Sequence, residues 1–201
     1  MIQRNEQLVI VRGGGDIATG TISRLFRSGY PVVILEISTP SAIRRQVALS
    51  EAVYDGESKV EDVTCVKVES WEEAKEVLKE KKKVPLLVDP ECNILKQVRP
   101  WALVDAILAK KNLGTNRQMA DKTIAVICTK NGEEVKVEAT LTGLVRGLIR
   151  DAYPVTVGFK IADIDPRESE YKNCFTISDK ARNIGGSVLE GLMYLEEKQG
   201  Y

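Results

Sequence analysis

The sequence predicts an α/β protein whose mostly parallel sheet is followed by a small β-rich module and a terminal helix. Three observations predict it. Short β-branched apolar runs recur along roughly the first 130 residues, continuous rather than alternating, as strands buried on both faces read. Stretches with apolar residues at helical spacing separate them. Beyond Lys130 the runs shorten and turn residues crowd in. The expected division is an α/β domain over residues 1–130 and a β-rich module with a C-terminal helix over residues 131–201.

Leu8–Val11 opens the chain as a buried strand, and the glycine run Gly13–Gly15 follows it. Ile17, Ala18, Ile22, Leu25 and Phe26 then recur at helical spacing, with Asp16 in the first turn and Gly29 placed to end the helix before Pro31. PVVILEI supplies a second buried strand. Strand, glycine turn, helix and strand make a βαβ unit, whose crossover is right-handed. DVTCVKV, SWEEAKEVLKEKKK and VPLLVDP repeat the strand–helix–strand order. That helix begins with Ser70 and Glu73 at capping-box spacing and ends in lysines that suit its negative terminus. A further strand is expected near Leu103–Asp105 and another at TIAVIC. Asn131-Gly132, Gly143, Gly147, Asp151 and Gly158 punctuate the β-prone module. In the last helix Ala181, Ile184, Val188, Leu192 and Leu195 share a face, with Ser178 as cap. Gly185-Gly186 leaves two readings open: a break in the helix, or close approach of another backbone.

Composition excludes several chemistries. Lys plus Arg and Asp plus Glu both number 29, so no basic excess points to nucleic acid. The chain has no histidine, which removes His triads, His metal sites and imidazole relays. Cys65, Cys92, Cys128 and Cys174 are far apart and form no C-x-x-C, so neither a metal site nor a disulfide is expected. No apolar run approaches the roughly 20 residues of a membrane span, and the N-terminus lacks signal-peptide regions. A soluble, cytoplasmic, reduced protein is expected.

The glycines carry the most specific signal. Gly13, Gly15 and Ala18 fit G-x-G-x-x-A between a strand and a helix, the context of a Rossmann-like dinucleotide loop. The first glycine permits the turn, the second admits a phosphate, and Ala18 lets the helix pack close, with the anion at the helix N-terminus. Glu36 lies 20 residues after Asp16, where a carboxylate accepts hydrogen bonds from a ribose diol. A ligand-free tight turn with Glu36 on the surface is the plainer alternative. Asp16 brings a negative charge beside any phosphate, which a cation such as Arg12 would have to offset. Arg44 and Arg45 remain open between contact with a phosphate on the ribose, favouring NADP, and solvated places on a short helix begun at STPSAIRR. Asp89 and Asp105 end strands, where open α/β sheets bind ligands, and each is as well suited to capping a turn. No catalytic residue is evident.

RGGGDIATGT, PVVILEI, AIRR, SEAVYDG, VDAILAKKNLGT, RGLI, KIADIDPR and TISDKARNIGG together resemble YqeB-type proteins of the selenium-dependent molybdenum hydroxylase system. The likeness covers most of residues 8–117 and 139–190. It implies an accessory or maturation factor for molybdenum hydroxylases, similar in its Rossmann-like part to XdhC-type factors that handle molybdenum cofactor. By that resemblance Gly13, Gly14, Gly15 and Asp16 form the ligand loop with Glu36 beside it. Asp105, Lys110 and Asn112 belong to a shared phrase without an assigned role. The second glycine-rich segment of the family, of the G-P-G-F kind, is missing, and MADKTIAVICTKNGEEVKV runs directly into the β module. VEATLTGLVRGLIRDAYPVTVGFKIADIDP is also similar to half of a lipoyl-type hammerhead, without the modified lysine, which implies a structural or docking role.

The expected function is thus an accessory protein without turnover. It binds a pyrophosphate-containing ligand at Gly13, Gly14, Gly15, Asp16, Ala18 and Glu36: molybdenum cofactor in dinucleotide form, NAD or NADP. Its expected partner is a molybdenum hydroxylase or the machinery that loads it, with self-association left open and no nucleic acid or membrane. The rivals are an NAD(P)-dependent oxidoreductase using Lys110 and Asp105, and a ligand-free Rossmann-like scaffold.

Overall fold

The computed structural model describes residues 6–107, 125–126, 143–156 and 158–199. Its main sheet has seven strands: β1 (Val9–Arg12), β2 (Val32–Glu36), β3 (Glu57–Val60), β4 (Val63–Val68), β5 (Val84–Val88), β6 (Ala102–Asp105) and β7 (Ala125–Val126). Their spatial order is β3-β4-β5-β2-β1-β6-β7. Only β3 runs antiparallel to its neighbour; the other pairs are parallel. β1 and β6 are buried throughout, the condition under which a strand needs no alternation of apolar and polar residues.

Side-chain parity sorts the core into two layers. Val9, Val11, Ile34, Leu86 and Val104 point to one face, where they meet Ile22 and Leu25 of helix α1 (Asp16–Arg27). Ile10, Val33, Leu35 and Leu103 point to the other, against Ala74 of α3 (Trp71–Glu80) and against Ile94. The Ser70 hydroxyl accepts the Glu73 N–H at 3.2 Å and Glu73 accepts the Glu69 N–H at 3.0 Å, so the expected cap forms. Gly29 closes α1 at φ +87°, a conformation that suits a residue without Cβ.

Two elements differ from the sequence-based expectation. β3 was not expected. It pairs with β4 through a two-residue loop, Glu61-Asp62, in which Glu61 takes φ +56° without the Asn-Gly signature of such turns. The stretch after β2 is not a helix from STPSAIRR but an irregular run with bends that leads into a single 3-10 turn, Arg45–Val47. A second 3-10 turn and the one-turn helix α2 (Ala52–Asp55) lead on to β3.

Within the second part of the chain, β8 (Leu144–Leu148) and β9 (Ala162–Asp165) form a two-stranded antiparallel sheet, with a register shift between Val145 and Gly147. The Asn131-Gly132 turn lies outside the described residues. Arg150 ties this hairpin to the segment after β2 by ion pairs to Glu51 at 2.7 Å and Asp55 at 2.8 Å, and lies over the Tyr54 ring. Gly147 lets it approach closely, since a Cβ there would sit 2.4 Å from the Ile43 carbonyl oxygen.

The terminal helix α4 (Asp179–Gln199) packs against α1 and places Ala181 and Leu192 in the core beside the sheet. The Ser178 hydroxyl accepts the Ala181 N–H at 3.2 Å, as expected of the cap. Gly185-Gly186 does not break the helix. Of the two readings, close backbone approach holds: a Cβ at Gly185 would lie 2.5 Å from the Gly20 carbonyl oxygen, and one at Gly20 would lie 2.3 Å from that of Ala181. Gly186 faces open space. Gly20→Leu is therefore expected to cost about 3 kcal/mol or more by forcing the helices apart. Gly186→Ala, in contrast, should add up to ~1 kcal/mol of stability. Urea denaturation of both variants checks the opposite signs.

Candidate ligand-binding cleft

A cleft of ≈ 780 Å³ opens beyond the carboxyl ends of β1, β2 and β6. The strand order explains its place. β1 leads through α1 to β2 on one side, while β6 lies on its other side, so the winding of the chain reverses at β1. Loops diverge at such a point and leave a crevice. Gly13, Gly15, Asp16, Ala18 and Glu36 all line it, bringing five of the six expected ligand residues together. Gly14 stands behind them as a structural residue.

Each glycine of the loop answers to a different demand. Gly13 takes φ +93° and donates its N–H to the Leu35 carbonyl at 2.7 Å. Gly14 donates to Glu36 Oε2 at 2.8 Å and accepts the Ser50 N–H at 2.8 Å, and a Cβ on it would stand 2.9 Å from Ser50 N. Gly15 precedes α1 with no side-chain cap, and a Cβ there would meet nothing within 4 Å. Among the described residues no atom requires glycine at 15, and its missing side chain leaves the helix end open to the cleft. The N–H groups of Gly15, Asp16 and Ala18 find no acceptor among the described residues, as the first turn of a helix dictates. Thr19 steadies the loop by donating to the Gly15 carbonyl at 2.9 Å while accepting the Leu49 N–H at 3.1 Å.

Glu36 is half-buried and already engaged. Its Oε2 accepts from Gly14 and its Oε1 accepts the Ile37 N–H at 2.9 Å. Burial raises its carboxyl pKa above the ordinary value, outweighing those two donors, which lower it. Each carboxylate oxygen keeps a lone pair for a further donor, so a diol can still be accepted.

The charges are arranged differently from the sequence-based expectation. Arg12 does not offset Asp16. It lies side by side with Asp105 in the β1–β6 register, pairs with it at 2.8 Å, and donates to the Pro90 carbonyl at 3.0 Å. Asp105, 1% exposed, also accepts the Ile107 N–H at 3.0 Å, so a buried ion pair occupies the carboxylate that an oxidoreductase would use as acid. Asp89 caps the turn that follows it by accepting the Ile94 N–H at 2.8 Å, and it also lines the cleft. Arg45 pairs with Glu51 at 2.9 Å.

Arg44 is not solvated: it is buried against the cleft, with Nη1 3.8 Å from Asp16 Oδ2. Its Nη2 donates to the carbonyls of Asn173 and Thr176 at 3.0 and 3.2 Å. Burial pulls its guanidinium pKa down, and Asp16 partly opposes that shift. Lys160 and Asp163, from the segment around β9, complete the rim. Their part was not visible in the sequence, because only the hairpin's docking brings them there. Lys110 and Asn112 lie outside the described residues.

Compared with curated proteins, the chain matches YqeB of Escherichia coli (strain K12), whose name describes it as uncharacterized. Identity is 37% over 260 aligned residues, covering 94% of this chain and 48% of the relative. The chain spans about half the length of that relative. The alignment is longer than the chain's 201 residues, so the relative carries stretches within it that this chain lacks. No protein-family model matches, and neither does any solved structure. Among the described residues no helix is long and apolar enough to cross a membrane.

Two outcomes follow from the buried charges. Asp105→Asn removes the carboxylate that pairs with the buried Arg12 guanidinium and is expected to cost about 3–5 kcal/mol in chemical denaturation. A carboxyl whose folded pKa is raised contributes stability below its unfolded pKa and loses it as pH climbs through the folded one. Glu36→Gln should therefore gain stability relative to the wild type as pH rises from about 4 to about 7. A difference that stays flat in a pH series of denaturation midpoints overturns this.

Proposed function

The chain is a YqeB-type protein, and from that premise we propose that it is an accessory protein of the selenium-dependent molybdenum hydroxylase system. It holds a pyrophosphate-containing ligand at the Gly13–Ala18 loop in the cytoplasm and passes it on without turnover. The observation that carries the reading is the open end of α1: free N–H groups face a cleft at a position where no atom of the described residues requires glycine. A helix N-terminus favours negative charge through its orphan donors and its dipole. In this reading the sheet is a Rossmann-like binding fold, akin to that of XdhC-type factors, with its ligand at the point where the winding reverses.

The lining narrows the ligand. Asp16, Glu36, Asp89, Glu91 and Asp163 outnumber Arg12, Arg44 and Lys160. A diffuse polyanion is repelled there, so the phosphates are confined to the helix end and the remaining wall suits hydroxyls. Glu36 at the end of β2 favours an unmodified ribose diol over a ribose phosphate, and thus NAD or a dinucleotide form of molybdenum cofactor over NADP. Net repulsion also keeps affinity moderate, as release to a partner requires. The β8–β9 hairpin, whose Val145 and Leu148 are 60% and 50% exposed, is the hammerhead-like surface that docks on the hydroxylase or its loading machinery.

Calorimetry and thermal shift of the purified chain against NAD, NADP, ADP and the cytidine dinucleotide form of the cofactor test the reading. Diol ligands should bind more tightly than NADP, and Gly15→Trp should abolish binding by filling the loop. Failure of all four to bind, with hydroxylase maturation unaffected by Gly15→Trp, would favour a ligand-free scaffold.

A further inference from the structure

Arg44 is a buried charged group of the cleft whose hydrogen bonds are incomplete among the described residues. Its side chain is 6% exposed, yet among the described residues only its Nη2 finds hydrogen-bond acceptors. Nε is buried and has no partner among those residues. Nη1 faces Asp16 at 3.8 Å, beyond hydrogen-bonding distance. A buried guanidinium with unmet N–H groups pays the desolvation of each donor without the compensating bond. Nη1 stands beside the N-terminus of α1, whose Gly15, Asp16 and Ala18 N–H groups also lack acceptors among the described residues. α1 has 12 residues, long enough for its dipole to matter. Backbone donors and a buried cation, from segments some 30 residues apart, thus converge on one volume in the cleft.

From this convergence we propose that Arg44 and the first turn of α1 form one oxyanion site, with Arg44 as its cationic binding residue and Asp16 as a carboxylate that competes for it. The site takes a phosphate or diphosphate group. It deepens the proposed function by naming the cation that such a ligand meets, and rests on that reading only for the rest of the ligand. An arriving phosphate oxygen accepts from the guanidinium and from the Gly15 and Asp16 N–H groups, and Asp16 is left to the Ile17 N–H that it already accepts at 2.9 Å. The Asn173 and Thr176 carbonyls hold the guanidinium from behind, so the segment before α4 orients the anion site without touching the ligand.

Inorganic pyrophosphate is the probe, titrated by calorimetry at low ionic strength alongside ADP. Arg44→Met should weaken pyrophosphate binding by roughly 10-fold or more, the worth of one charge-assisted hydrogen bond. Because Arg44→Met also frees two carbonyls, Asp16→Asn supplies an arm that misfolding cannot imitate. It keeps an acceptor for the Ile17 N–H, removes the competing charge, and should tighten pyrophosphate binding by several-fold. Unchanged affinity in both variants overturns the proposal, as does absence of pyrophosphate binding to the wild type. Pyrophosphate binding that depends on Arg44, with no binding of ADP or any dinucleotide, upholds this site and overturns the nucleotide reading.

Discussion

The cleft depends on the backbone of Gly14. Its N–H is held by Glu36 from the next strand, and its carbonyl takes the Ser50 N–H from the segment that leads to β3. Both bonds require a residue without a side chain, because the Ser50 backbone occupies the space where a Cβ would stand. Pinned from two sides, the loop presents Gly15 and the first turn of α1 in one orientation. That orientation is what the proposed anion site relies on: donors that cannot rearrange lose no entropy when an anion arrives. The acid at the end of β2 is therefore a structural strut, accepting the Gly14 and Ile37 N–H groups, whatever further part the proposed ligand gives it.

Much of this was legible in the sequence, and the limits have physical causes. Strands buried on both faces, such as VIVR and VVILE, announce themselves as unbroken apolar runs. The Ser70 cap and Gly29 stop use local chemistry and fell where expected. β3 escaped notice because an edge strand reading Glu-Ser-Lys-Val carries no apolar signal, and its turn uses Glu61 where a glycine or asparagine would have marked it. Residues in the cleft divide in the same way. Gly13, Gly15, Ala18 and Glu36 follow from spacing along one βαβ unit. Arg44 and Lys160 reach the cleft through long-range packing, which spacing does not encode.

The Arg12–Asp105 pair shows how register decides role. Both residues end parallel strands, and both looked available for ligand chemistry. Strand pairing sets them opposite one another on the same face of the sheet, so each neutralises the other beneath the loop. Arg44, open in the sequence between a phosphate contact and a solvated place, lies beside Asp16 because the chain after β2 forms bends and short 3-10 turns that pass the end of α1. The charge that faces a ligand here is thus assigned by backbone geometry, and neighbouring residues of identical chemistry, Arg44 and Arg45, part company completely.

The contact of Gly20 with Ala181 has a consequence for how the chain acquires this structure. The helix that carries the glycine loop is made first, and the helix that seals its outer flank follows roughly 160 residues later. Closing so long a loop delays the reward for ordering α1. During synthesis, at about 5–20 residues per second, Gly20 waits roughly 10–30 s for its partner backbone to be made. Throughout that interval the small-residue groove on α1 is an unfilled slot, awaiting α4.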